Sequence, residues 1–238
     1  MPRTAIVAAC GAALIVMSAS TRPAGARAQN TLTRDESAAG WMSLFDGASL
    51  ERWRGFKKGG IPEGWRALDG TLARVQPAGD IVTVETFADF DLVFDWKVGT
   101  GGNSGVFFRV TEEADLVWHS GPEYQILDNA GHRDGKDALT AAGSNYALHA
   151  PLRDLTAPVG EWNTARLLVR GSHVEHWMNG VKLLEYEIGS ADWERRVKAS
   201  KFSSLPRYGR EPRGHIALQD HGDPVAYRNL KIRRLDAR

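Results

Sequence analysis

The sequence predicts an all-β protein, folded as a two-sheet sandwich with one or two short surface helices. Three observations carry that reading. Several short segments alternate apolar and polar residues with the period of two that gives a strand one buried face. Tight-turn pairs such as Asp69-Gly70 and Asn179-Gly180 punctuate them, both central positions of such a turn requiring positive φ. Eight tryptophans then supply bulky apolar bodies for a core between layers.

In chain order, residues 1–28 are expected to be a cleavable export signal. Arg3 gives a positive start, Ala5 to Ala19 an apolar run, and Ala26-Arg27-Ala28 a small-residue cleavage site before Gln29. Ser18, Ser20, Thr21 and Arg22 break the run before the roughly 20 apolar residues of a spanning helix. A periplasmic or secreted product with no membrane insertion after cleavage is therefore expected. Cys10, the only cysteine, lies in that segment, so the remaining chain has neither a disulfide nor a thiol nucleophile. Lys and Arg number 30 against 29 Asp and Glu, a balance that gives no electrostatic reason to expect nucleic acid as a partner.

Residues 29–40 read as a leader with a short helix, because Thr33-Arg34-Asp35-Glu36 has the form of a capping box. Residues 41–238 read as a single sandwich domain. Strands are expected at Trp65 to Leu68, Thr71 to Val75, Phe90 to Val98 and Val106 to Val110. Others are expected at Tyr124 to Leu127, Trp162 to Val169, His173 to Met178, Val181 to Tyr186, Gly214 to Gln219 and Ala226 to Ile232. Ser190 to Ser200 reads as a surface helix and Lys201 to Arg213 as a long loop. Gly99 to Gly105 runs into a strand rather than a helix, so it is expected to be a strand-to-strand turn and not a phosphate loop.

Glu123 and Gln125 fall on one face of their strand, and a bulge after Gln125 would add Asp128, placing two carboxylates near one substrate. That spacing is similar to the catalytic strand of retaining β-glucanases, with Gln125 and Asp128 where those enzymes carry Asp and Glu. Arg109 is expected on the face opposite Phe108. His215, Gln219 and His221 fall on one side of a strand, and His176 shares the side of Val174 and Met178. Three histidines with Glu123 and Asp128 offer metal donors, so a divalent cation is admitted although no short fixed ligand spacing demands a cofactor. Asn103, Trp118 and Tyr146 are candidate sugar contacts.

Seven segments, in order, resemble the 3-keto-disaccharide hydrolase domain family over about Gly40 to Leu235. They are Gly40 to Gly47, Asn103 to Arg109, Glu123 to Asp128, Gly160 to Asn163, His176 to Gly180, Ser200 to Phe202 and Gly214 to Gly222. The resemblance implies a jelly-roll sandwich of the concanavalin A-like lectin and glucanase type. It also implies a small carbohydrate substrate whose glucose C3 hydroxyl a partner glycoside 3-dehydrogenase has already oxidised. A C3 ketone acidifies the C2 proton, so a base can form an enediolate that expels the C1 substituent, and water then adds. On this reading His176 or His221 is the base, Arg109 with Gln219 or a bound cation stabilises the enediolate, and Glu123 or Asp128 assists the leaving group. Gln125, Asn103, Tyr146 and Trp118 contact the sugar. Two other readings are a retaining β-glucanase using Glu123 and Asp128, and a non-catalytic carbohydrate-binding module.

Overall fold

In the computed structural model, Met1 and residues 29–235 are described; the expected export signal lies outside the described residues. Thirteen strands are described, the first seven being β1 (Trp41–Ser43), β2 (Trp53–Gly55), β3 (Trp65–Leu68), β4 (Thr71–Arg74), β5 (Ile81–Thr83), β6 (Phe90–Val98) and β7 (Asn103–Val110). The rest are β8 (Glu123–Leu127), β9 (Asn163–Arg170), β10 (His173–Met178), β11 (Val181–Glu187), β12 (His215–Leu218) and β13 (Val225–Arg234). Two helices, α1 (Arg34–Ala38) and α2 (Ala191–Ala199), lie at the periphery. Thr33 Oγ1 accepts from the Glu36 amide while Glu36 accepts from the Thr33 amide, the reciprocal cap that the spacing predicts.

The strands form two antiparallel sheets of eight and five, a jelly-roll sandwich. The larger has the order β11-β10-β9-β6-β13-β4-β3 with β1 also pairing β13, and the smaller has the order β2-β5-β12-β7-β8. Alternation explains the layering. Phe90, Leu92, Phe94 and Trp96 of β6 turn inward against Val106, Phe108, Tyr124, Ile126, Ile216 and Leu218 from the smaller sheet, all at most 1% exposed. The hairpin between β10 and β11 closes through Asn179 at φ 49° and Gly180 at φ 80°, the left-handed pair its turn needs.

Three differences from the sequence reading bear on the site. Strands β1, β2 and β5 appear where none is predicted, each only three residues long and therefore too short to show a period. Strand β7 begins at Asn103, so Asn103, Ser104 and Gly105 belong to the sheet and not to a turn. A bulge interrupts its pairing with β12, where His215 faces Val110 but Ala217 faces Phe107, and the extra residue Arg109 takes φ 54°.

Candidate functional site

The outward face of the five-stranded sheet carries the candidate site. Alternation sends Val82, Phe107 and Ala217 outward and the β7 bulge brings Val110 to the same side, where with Val117 they make a second, small apolar cluster as a floor. Register sets the polar groups beside it. Ala217 pairs with both Val82 and Phe107, and Phe107 with Glu123, which makes one row across the sheet. In the next row the Gln219 amide donates to the Gly105 carbonyl at 3.0 Å, and Gly105 pairs with Gln125.

Glu123 is the central group of this face. Its carboxyl folds across Gly105, where any Cβ would run into Oε1. The Gln125 amide, with its nitrogen turned toward the carboxyl, donates to Glu123 Oε1 at 2.9 Å and to the Ser104 carbonyl at 3.1 Å. Glu123 is only 6% exposed, and burial pushes its pKa well above the usual carboxylate range. The Lys201 charge opposes that shift, while Asp80 and Asp134 reinforce it. Burial outweighs the Lys201 charge, and among the described residues Glu123 has no ion pair. Burial thus favours the acid form of the carboxyl.

Near enough for the two charges to influence each other, the Lys201 ammonium lies 4.3 Å from the Tyr146 ring centroid and 5.3 Å from that of Trp118. Burial lowers its pKa, with Glu123 and Asp134 pulling the other way. Tyr146 donates to Asp134 Oδ2 at 3.1 Å, and its amide donates to the Glu123 carbonyl at 3.2 Å. The loop bearing Lys201 is held by an aromatic stack: Phe202 on Tyr208 at 3.9 Å, Tyr208 on Trp193 at 5.9 Å, and Trp193 on Tyr186 at 5.5 Å. An acid, a cation and stacking aromatics therefore converge on one sheet face, a combination that can protonate a leaving oxygen and stabilise a developing anion.

Glu123, Gln125, Gln219, Tyr146 and Trp118 are the predicted residues that this face brings together. Gln219 Oε1 is buried without a partner. Asn103 lies at the start of β7, its amide donating to Asp223 at 3.2 Å. His221 is at the rim, 43% exposed at its side chain and edge-on to His132 at 6.1 Å; desolvation lowers its pKa, leaving it neutral at pH 7.

Three predicted roles are corrected. His176 is wholly buried between the sheets, its ring stacked on Tyr124, Nδ1 3.1 Å from the Gly143 carbonyl and Nε2 3.3 Å from the Tyr186 hydroxyl. Burial takes its pKa down to about 3, so it is a neutral core residue and not a base for a substrate outside. Arg109, displaced by the β7 bulge, turns away from Phe107 and donates to the Gly171 carbonyl at 2.7 Å, tying the smaller sheet to the turn between β9 and β10. Asp128 accepts from the amides of Gly101 at 2.7 Å and Ala130 at 3.1 Å, capping a turn. The pairing of β7 with β8 runs without a shift, so the bulge expected after Gln125 is absent and Asp128 does not join Glu123.

The residues that admitted a divalent cation are not all brought together among the described residues. His176 is interior, and His215 Nδ1 lies 2.7 Å from the Thr83 carbonyl. Among the described residues His173, Glu175 and Glu185 come closest to a metal-binding group, on the larger sheet. There Lys182 Nζ already sits 3.4 Å from Glu175 and 2.5 Å from Glu185. Concavities of about 480 Å³ beside His149 and about 420 Å³ beside Lys97 also open away from the candidate site. Neither is lined by a buried carboxyl without an ion pair, the feature that marks the Glu123 face.

Sequence reasoning missed Lys201 as a site residue, although Ser200 to Phe202 is one of the segments that carry the family resemblance. Its proximity to Trp118, Tyr146 and Glu123 is a tertiary fact that no local pattern encodes.

Fold and face fit a glycoside-cleaving enzyme of the sandwich type, and the likeness to known proteins supports that class. The chain belongs to the 3-keto-alpha-glucoside-1,2-lyase-like domain family, whose pattern matches residues 40–233. It is similar to the 3-keto-disaccharide hydrolase of Bacteroides thetaiotaomicron, 34% identical over 231 residues that cover 84% of this chain and 80% of that one. A crystal structure of a candidate glycosyl hydrolase from Parabacteroides distasonis ATCC 8503 superposes with a TM-score of 0.82 at 36% identity, covering 88% of this chain and all of that one. A second from the same organism gives 0.64 at 27% identity, covering 82% and 99%.

Proposed function

We propose that this protein cleaves the glycosidic bond of 3-keto-disaccharides or 3-keto-glucosides by C2 proton abstraction, elimination and addition of water. The observation that carries the reading is the buried Glu123 acid, laid across Gly105 and overlooked by Lys201. Taking the C2 proton sends its electron pair toward the C3 carbonyl, whose oxygen gains negative charge. Lys201 supports that charge. Collapse of the enediolate forms the C1–C2 double bond and breaks the bond from C1 to the leaving oxygen, which takes its proton from Glu123. Water then adds across the double bond, and the net reaction is hydrolysis.

This chemistry needs a C3 ketone, so a glycoside 3-dehydrogenase must supply the substrate. Export through the expected signal would place the enzyme in the periplasm or outside the cell. Sequencing the amino terminus of the protein recovered from its native compartment tests that placement, cleavage before Gln29 being the expected result. Retaining β-glucanase chemistry is not supported, because it asks for two carboxyls roughly 5 to 5.5 Å apart and Asp128 is spent on its turn.

The purified protein should release the aglycone from a 3-keto-glucoside and leave the unoxidised glucoside intact, in paired reactions with and without a chelator. Cleavage of both sugars would indicate an ordinary glycosidase. Saturable binding without product would indicate a carbohydrate-binding module. Loss on chelation would add a divalent cation to the site.

A further inference from the structure

Asp80 immediately precedes β5 and has no place in any of the readings above. Its backbone carbonyl accepts from the Phe56 amide at 2.9 Å, which extends the pairing of β2 with β5 by one residue. Ile81 faces the core and Val82 the outer apolar floor, so Asp80 falls on the outer side, two positions along from Val82. Register sets it beside Gln219, giving the row Asp80, Gln219, Gly105 and Gln125 across the sheet. Two strand spacings, about 10 Å, separate Asp80 from the Gly105 backbone over which the Glu123 carboxyl lies. A sugar ring with a hydrogen-bonding group on each side spans that width. Between them sits Gln219, with its buried Oε1 unpartnered.

The charges around Asp80 set it apart from its neighbour. Asp220 is neutralised by Arg74 at 2.7 Å and accepts from the amides of Ala78 and Gly79. Asp80 accepts from the Asp220 amide at 2.8 Å but has no ion-pair partner among the described residues. The ionisable groups that act with it on this side are Asp220 from the end of β12 and Glu123 from β8, neither of them a cation.

On the proposed reaction, which this inference rests on, we infer that Asp80 is the base that takes the C2 proton, working across the sheet from Glu123. The Asp80 carboxylate accepts the proton, the C2–H electron pair becomes the enediolate, and the pair released from C1 leaves on the oxygen that Glu123 protonates. The proton on Asp80 returns to solvent and Glu123 is reprotonated when water adds. Burial brings the Asp80 pKa up to about 6, which makes it a stronger base than an ordinary aspartate while leaving it ionised at pH 7. A base titrating near neutrality and an acid held protonated are the division of labour that one face with two carboxyls permits.

The test compares wild type, D80N, D80E and H221A on a 3-keto-glucoside. Asn keeps an oxygen for the Asp220 amide, so D80N removes basicity without removing the backbone contact. Expected is a 10²- to 10⁴-fold fall in kcat for D80N, with KM within threefold and loss of the acidic limb of the pH profile. Part of the rate should return in D80E, and H221A should fall less than tenfold. D80N activity within threefold of wild type, a D80N that does not fold, or an acidic limb that disappears in H221A instead overturns the assignment. Wild type without turnover of the keto sugar would defeat the proposed reaction itself.

Discussion

The two sheets present outward faces of opposite electrostatic design. On the eight-stranded sheet, Asp91 is 2% exposed yet bound by Arg166 at 2.6 and 3.0 Å and by Arg233 at 3.0 Å. Asp95 is held by Arg228 at 3.1 Å, Asn229 at 2.7 Å and Thr164 at 2.7 Å. The arginines in turn lie over tryptophan rings, Arg166 on Trp177, Arg228 on Trp162 and Arg233 on Trp41. Every carboxylate in that row has a partner. On the five-stranded sheet, Glu123 is buried and Asp80 half-buried, both lack an ion pair among the described residues, and their pKa values rise. Paired burial stabilises a fold; unpaired burial leaves groups that change protonation where chemistry needs it. The difference separates a structural face from a reactive one more clearly than residue type does, since both are rich in carboxylates and aromatics.

The largest effect that would sharpen this contrast is on turnover. Replacing Glu123 by Gln preserves the shape and removes the proton, so turnover of a keto sugar should fall about 10²- to 10⁴-fold while the melting temperature holds or rises. With Glu123 intact, activity should decline as pH rises through its raised pKa, because the acid form is lost; that limb should be missing from E123Q. On the other face, Asp91→Asn should do the reverse. It leaves Arg166 and Arg233 without their shared carboxylate, and chemical denaturation should register a loss of about 2 to 4 kcal/mol with activity per folded molecule unchanged. A stable D91N or an unstable but active E123Q would erase the distinction.

Gly105→Ala probes the geometry of the reactive face without touching a titratable group. Its methyl would occupy the space of Glu123 Oε1 and displace the carboxyl. A misplacement of that kind costs on the order of 10²-fold in rate, measurable as kcat with stability followed by thermal melting. Wild-type turnover in G105A would mean that the position of the Glu123 carboxyl does not matter to the reaction.

The larger sheet was the more legible of the two, for physical reasons. Strand β6 shows five inward apolar residues in strict alternation, and the Asn179-Gly180 turn announces the hairpin beside it. Glu123 and Gln125 could be read as one face for the same reason. The sequence even put His176 on the side of Val174 and Met178, both of which are fully buried, so its interior position followed from parity although its chemistry suggested otherwise. What stayed hidden depends on local breaks and long-range pairing. One extra residue in β7 reverses Arg109, and nothing in Phe107-Phe108-Arg109-Val110 signals it. Asp80 precedes a three-residue strand whose partners lie at Gly55 and Ala217, and Lys201 meets Trp118 across the fold. Neither neighbourhood has a sequence period.

The smallest expected effect concerns stability and pH on the reactive face. Asp80 has a folded pKa of about 6 against an ordinary value of 3.8, a raised value that favours the protonated folded state. Its contribution to stability is therefore full below about pH 4 and is lost as pH rises through 6. Two pKa units correspond to roughly 2 to 3 kcal/mol. D80N lacks this penalty, so its stability relative to wild type should improve by about that amount between pH 4 and pH 8, read from urea midpoints at each pH. Glu123 contributes a penalty of the same sign at higher pH, which E123Q should remove in the same way. A reactive face that costs stability when ionised and recovers it when neutralised is what unpaired burial requires. A pH-independent difference between D80N and wild type would show instead that Asp80 is solvated or paired, and the two faces would then be alike in the one respect that distinguishes them.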